Sequence, residues 1–277
     1  MNASVSVWSM VCMGITALLS FSIPVLLCIW FRKKKHADLL PFFIGMAVML
    51  IFALVAESLV HQLVLGVLTI GKTIMGNIWL YALYGGLMAG LFEETGRFVA
   101  FKTILKKYRD RDADALMYGA GHGGCEAAVL LGTTMISNIV MSVMLNHGLV
   151  SLLMKDVTPE QMPQALALLD SLTSSAPYTF LLGVIERIFA VIMQISLSVI
   201  VWFGANRKGK WMLYPLAILL HLAVDGTAVV VSKFSSVWVT ECVLFVLTLL
   251  TALFARVIWN KYHKAEGEEH GEVKEQA

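Results

Sequence analysis

Seven stretches of this chain, residues 5–31, 39–65, 78–101, 113–150, 177–203, 211–231 and 237–259, are apolar over nearly their whole length. Each is long enough, at about 1.5 Å per residue of helix, to cross a hydrocarbon core about 30 Å thick. Lipid offers no partner for backbone N–H and C=O groups, so an apolar run without strand-like alternation has the α-helix as its solution. Hydrophobic residues make up 58% of the 277 and charged residues only 14%, which sets the chain apart from soluble domains, where about a quarter are charged. The expectation is an all-α polytopic membrane helix bundle of about seven transmembrane helices. Its membrane domain is expected over residues 1–259, followed by a disordered, Glu-rich cytoplasmic tail over 260–277.

Orientation follows from the basic residues. The cluster Arg32-Lys33-Lys34-Lys35-His36 follows the first apolar run, whereas a cleaved secretory signal carries its positive charge in front. Under a seven-span scheme, 16 of the 21 Lys and Arg fall on one side, Lys72, Lys155 and Lys233 on the other, and Arg97 and Arg187 within spans. The crowded side is the cytoplasm by the positive-inside rule, which puts the N-terminus outside. Residues 151–176 read as an external loop. The 113–150 stretch is too long for one straight crossing, and its glycines at 119, 121, 123 and 124 permit a break or a close helix contact. No internal repeat, no basic nucleic-acid-binding patch and no CxxC pair is present; the four cysteines all lie in apolar stretches.

Charged groups inside spans cost about 2.5–3.5 kcal/mol each on insertion scales, so a chain that keeps them marks a site. Glu93, Glu94 and Arg97 sit together in the third span, where Glu93 and Arg97 are four residues apart and share a helix face. Arg97 is able to hold one carboxylate and leave the other free. Tyr118, His122 and Glu126 repeat at four-residue intervals in the fourth span, and His221 and Asp225 in the sixth. Asp225 on one ring nitrogen of His221 would leave the other aimed at a ligand, an oxyanion or a metal. Glu93, His122 and His221 lie roughly 8, 9 and 10 residues from the cytoplasmic ends of their spans, one layer about 12–15 Å deep. Glu57 with His61 and Glu186 with Arg187 fall nearer the outer face and read as packing or accessory groups. Each cluster has a purely structural alternative: an ion-pair network that fixes helix packing, or a histidine bonded to a backbone carbonyl.

The blocks Glu93-Glu94-Thr95-Gly96-Arg97, Tyr118-Gly119-Ala120-Gly121-His122 and His221-Leu222-Ala223-Val224-Asp225 resemble the EExxR, FxxxH and HxxxN/D motifs of the CAAX-protease and bacteriocin-processing superfamily. Within it the chain is most similar to the YhfC-type and PrsW-type intramembrane peptidases of bacteria. The resemblance implies a multi-pass protein of the bacterial plasma membrane that cleaves membrane-embedded or membrane-associated peptide substrates, with no nucleic acid involved. It makes Glu93 the base that activates water, helped by His122, gives His221 and Asp225 the oxyanion, and leaves Arg97 and Glu94 to orient Glu93. Tyr118 stands where the motif has Phe, and Asp225 where prenyl-processing members have Asn. An ionised Asp cannot donate a hydrogen bond, which puts the oxyanion role of position 225 in question. Tyr118 and Glu126 are accessory candidates.

No cofactor is required by this scheme. Zinc held by His122, His221 and one of Glu93, Glu126 or Asp225 is the rival within hydrolases, and a proton- or cation-coupled transporter is the rival outside them. HExxH and GxSxG are absent.

Overall fold

In the computed structural model, which describes residues 4–159 and 161–263, the described chain is helical with no strand. The helices are α1 (Val7–Lys35), α2 (Leu39–Val67), α3 (Ile70–Met75), α4 (Ile78–Lys102), α5 (Ala113–Asn146), α6 (Val150–Leu153), α7 (Met162–Ser174), α8 (Thr179–Asn206), α9 (Leu213–Phe234) and α10 (Val237–Tyr262). Six of them, α1, α2, α5, α8, α9 and α10, are long and apolar enough to cross a membrane. The remaining expected span, α4, has the length at 25 residues but is not among the six. Its first turn is fixed by Asn77, whose side chain accepts from the backbone N–H groups of Trp79 and Leu80.

Two expectations change here. The long fourth stretch does not break at its glycines: α5 runs unbroken for 34 residues, with one turn of i→i+5 hydrogen bonding at Ala127–Gly132. The loop expected at 151–176 contains α7, whose Leu166, Leu169 and Leu172 recur at helical spacing and whose Leu172 is buried. At the other end α10 continues to Tyr262, past the expected boundary at 259, and the rest of the expected tail, residues 264–277, lies outside the described residues.

The chain divides into two compact units, one made of residues up to Val25 with Glu126–Ile188, the other of Leu26–Cys125 with Phe189 onward. In the first, Val5, Met13, Ala17, Met135 and Leu172 form the core. Asn146 closes it by accepting from the Val5 N–H at 2.7 Å and donating to the Val5 carbonyl at 2.9 Å. In the second, the C-terminal half of α8 is the axis: almost every residue from Val191 to Ala205 is buried, and Leu197, Ile200, Trp202 and Phe203 pack with Phe101, Tyr118 and Ala217.

Small residues let the helices of this second unit approach closely, the usual means of helix association in lipid. A Cβ added at Gly90 of α4 would come within 2.8 Å of the Ile218 carbonyl of α9, and one at Gly121 of α5 would collide with the Phe42 backbone of α2. The glycine-rich start of α5 is therefore a contact surface.

Candidate active site

Four helices of the second unit converge on one buried polar group. α4 supplies Glu93, Glu94 and Arg97, which successive helical positions fan toward different neighbours. Arg97 and Glu94 are fully buried. The Nη1 of Arg97 donates to both Glu94 oxygens, at 2.6 and 2.5 Å, and its Nη2 donates to Gln194 Oε1 of α8 at 2.5 Å. One guanidinium nitrogen thus straddles Glu94, while the other faces α8.

Glu93 is consequently not spent on the arginine. Its Oε2 lies 2.9 Å from His122 Nε2 of α5 and accepts from Gln194 Nε2 at 2.8 Å. Two donors on one oxygen leave Oε1 as the less satisfied and more basic end of the carboxylate, and Glu93 keeps a small exposure of 8% where His122 and Gln194 have almost none. Gln194 bridges Glu93 to Arg97 through opposite ends of one amide. The sequence reading missed it because it followed charges and histidines; the signal was a lone amide within the apolar run Ile188–Leu197.

His221 of α9 is held at both ring nitrogens. Nδ1 lies 2.8 Å from Glu94 Oε1 and Nε2 lies 3.3 Å from Asp225 Oδ2. The expectation that one nitrogen would be left pointing at a ligand is therefore corrected, because Glu94 takes the second. Asp225 is the most open group of the site, with 41% of its side chain exposed. Tyr118 is completely buried, stacked at 6.1 Å from the His122 ring and edge-on to Phe101, within electrostatic reach of Arg97.

Two further groups fall differently from expectation. Glu126 lies in the first unit, where Arg187 donates to it at 2.9 Å and to Glu186 at 2.5 Å. Glu57, read as an outer packing residue, is buried, bonded to His61 at 3.1 Å, and within electrostatic reach of Glu93, His221 and Asp225. Glu57 is the last residue of the nine-residue i→i+5 segment Met49–Glu57, whose wider turn rotates its side chains off the positions that α-helical counting gives.

A zinc site needs three or more ligand atoms converging on one point. Both nitrogens of His221 already face carboxylates, Glu94 is held by Arg97, and the Nδ1 of His122 is buried without the acceptor that orients most metal-ligating histidines. Among the described residues no three His, Cys, Asp or Glu side chains are arranged to hold an ion. In this arrangement the set His122, His221 and Glu93 does not fit a metal.

A family model described as YhfC intramembrane metalloprotease matches residues 19–244. A protein of Bacillus subtilis (strain 168) described as "Uncharacterized membrane protein YhfC" is 36% identical over 230 residues, covering 83% of this chain and 87% of the relative. No solved structure matches.

Proposed function

Since the chain belongs to the YhfC intramembrane metalloprotease family, we propose that it hydrolyses peptide bonds of membrane-embedded or membrane-associated substrates in the bacterial plasma membrane, using Glu93 as the base. The observation that carries this reading is the separation of the two adjacent carboxylates: Arg97 neutralises Glu94, and Glu93 is left to His122 and Gln194. Glu93 Oε1 takes a proton from water as the water oxygen attacks the scissile carbonyl carbon. The same proton passes to the leaving nitrogen as the C–N bond breaks, giving a carboxylic acid and an amine. His122, donating from Nε2, holds the carboxylate in place through both steps.

Stabilisation of the oxyanion by His221 requires that Asp225 release Nε2, and its exposure makes Asp225 the partner free to swing away. A family described as metalloproteases raises Lewis-acid assistance, but the present ligand arrangement supports none, and the steps above use only side chains of this chain.

The test is cleavage of a defined transmembrane reporter by purified protein, with elemental analysis of the active preparation. Glu93→Gln should stay folded and lose about 10²–10⁴-fold in rate. Stoichiometric zinc, with activity lost on its removal and regained on its return, would replace this mechanism with a metal-based one. Cleavage by Glu93→Gln at the parent rate would remove the glutamate from the chemistry.

A further inference from the structure

At the ends of α4 and α8, in the second unit, a cavity of about 420 Å³ is lined by Lys102, Lys106, Arg109, Asn206, Arg207 and Lys208, with Phe101 as an apolar floor and Trp211 at the rim. Among the described residues no acidic side chain lines it. Arg207 is committed to Asp112, which it grips at 2.8 Å through both carboxylate oxygens. Among the described residues the others are much freer: Arg109 has only the exposed Asp110 at 3.7 Å, Lys102 only the Phe98 ring, and Lys106 and Lys208 no ion-pair partner.

Cations at helix C-termini ordinarily offset the helix dipole. Two C-termini carry about half a negative charge each, so with Asp110 also counted the four cations leave, among the described residues, an excess of about two positive charges. The Nδ2 of Asn206, in the wall of the cavity, is buried with no hydrogen-bond partner among the described residues. A donor left over beside uncompensated cations calls for an anionic acceptor.

We propose that this cavity binds a phosphate group, with an anionic phospholipid headgroup as the source that the position of Trp211 favours. Trp211 is 62% exposed, and tryptophans gather at headgroup level, where lysines reach out from helix ends. Lys102, Lys106 and Lys208 supply point charges and Asn206 the directed hydrogen bond. The site is independent of the peptidase reading.

Native mass spectrometry of the detergent-purified full chain tests this, with phosphatidylglycerol or phosphatidylcholine added and with inorganic phosphate as competitor. Wild-type protein should retain phosphatidylglycerol in preference to phosphatidylcholine. The triple variant Lys102→Gln, Lys106→Gln, Lys208→Gln should lose that preference by at least about tenfold, given the usual pull of a lysine on anionic lipid. A matched variant in the α1 cluster, Lys33→Gln, Lys34→Gln, Lys35→Gln, should keep it. Should the cavity triple variant not fold, Asn206→Asp, which puts a negative charge into the wall, should show the same loss. Displacement of lipid by millimolar inorganic phosphate in wild type alone keeps the phosphate site and assigns it a soluble ligand. Equal retention of both lipids, or equal loss in the two triple variants, overturns the proposal.

Discussion

Glu93 and Glu94 are neighbours in the chain with opposite surroundings, and substitutions should separate them. Glu94→Gln removes the charge that Arg97 and His221 share, so a drop in thermal stability should accompany its loss of activity, whereas Glu93→Gln should melt close to the parent. Arg97→Ala leaves two buried carboxylates without their cation, and breaking such a pair costs about 3–5 kcal/mol, read as failure to accumulate or a strongly lowered melting temperature. Arg97→Lys should fold but lose much activity, because an ammonium cannot reach Glu94 and Gln194 at once; equal activity of the two variants would exclude Arg97 from the site. Gln194→Leu unlocks Glu93 Oε2 from α8 and should shift the pH profile of kcat as well as lower kcat, while a role confined to packing would leave the profile where it was. Glu93, Glu94, Arg97, His122, His221 and Asp225 were all legible in the sequence, because a charge or histidine in an apolar helix stands out. Gln194 was not: an uncharged amide carries little hydropathy signal, and its value lies in reaching two groups far away in sequence.

At the level of single helices, α4 offers an internal control. Gly85 has open space around it, whereas a Cβ at Gly86 would come within 2.9 Å of the Leu222 carbonyl of α9. Gly85→Ala should therefore be neutral or stabilising, by up to about 1 kcal/mol from helix propensity, and Gly86→Ala destabilising, with the two melting temperatures measured side by side. A melting temperature for Gly86→Ala at or above that of Gly85→Ala would show that α9 yields to the added methyl group. The existence of the long helices was legible from apolar length alone. What escaped was departure from the α-helical period: the turns of i→i+5 bonding in α2 depend on tertiary contacts rather than on any residue signature, and they moved Glu57 from the periphery to the edge of the site. α7 escaped because its apolar stripe is short and interrupted by polar residues, so that loop and amphipathic helix read alike.

For the whole molecule, the distribution of basic residues predicts seven crossings with the N-terminus outside. Reporter fusions after Lys35, Arg111 and Lys210 should read cytoplasmic, and fusions near Lys72 and Asp156 external; a cytoplasmic signal at Asp156 would require a different number of crossings. The multi-pass helical class was legible from composition because lipid imposes it, whereas the division into two compact units was not, since α1, α5 and α8 each contribute to both without any break in hydropathy. The charge content of α4 bears on how the chain is made. Three ionised side chains would cost an isolated α4 about 7–10 kcal/mol on insertion, and of the partners outside α4 only His122 follows soon after, while Gln194 and His221 are synthesised roughly a hundred residues later. α4 should therefore wait at the translocon, or slip in and out of the bilayer, until α8 and α9 have emerged. Nascent chains truncated before Gln194 should leave residues around Glu93 open to a water-soluble thiol reagent at an introduced cysteine, and chains extended past Asp225 should close them.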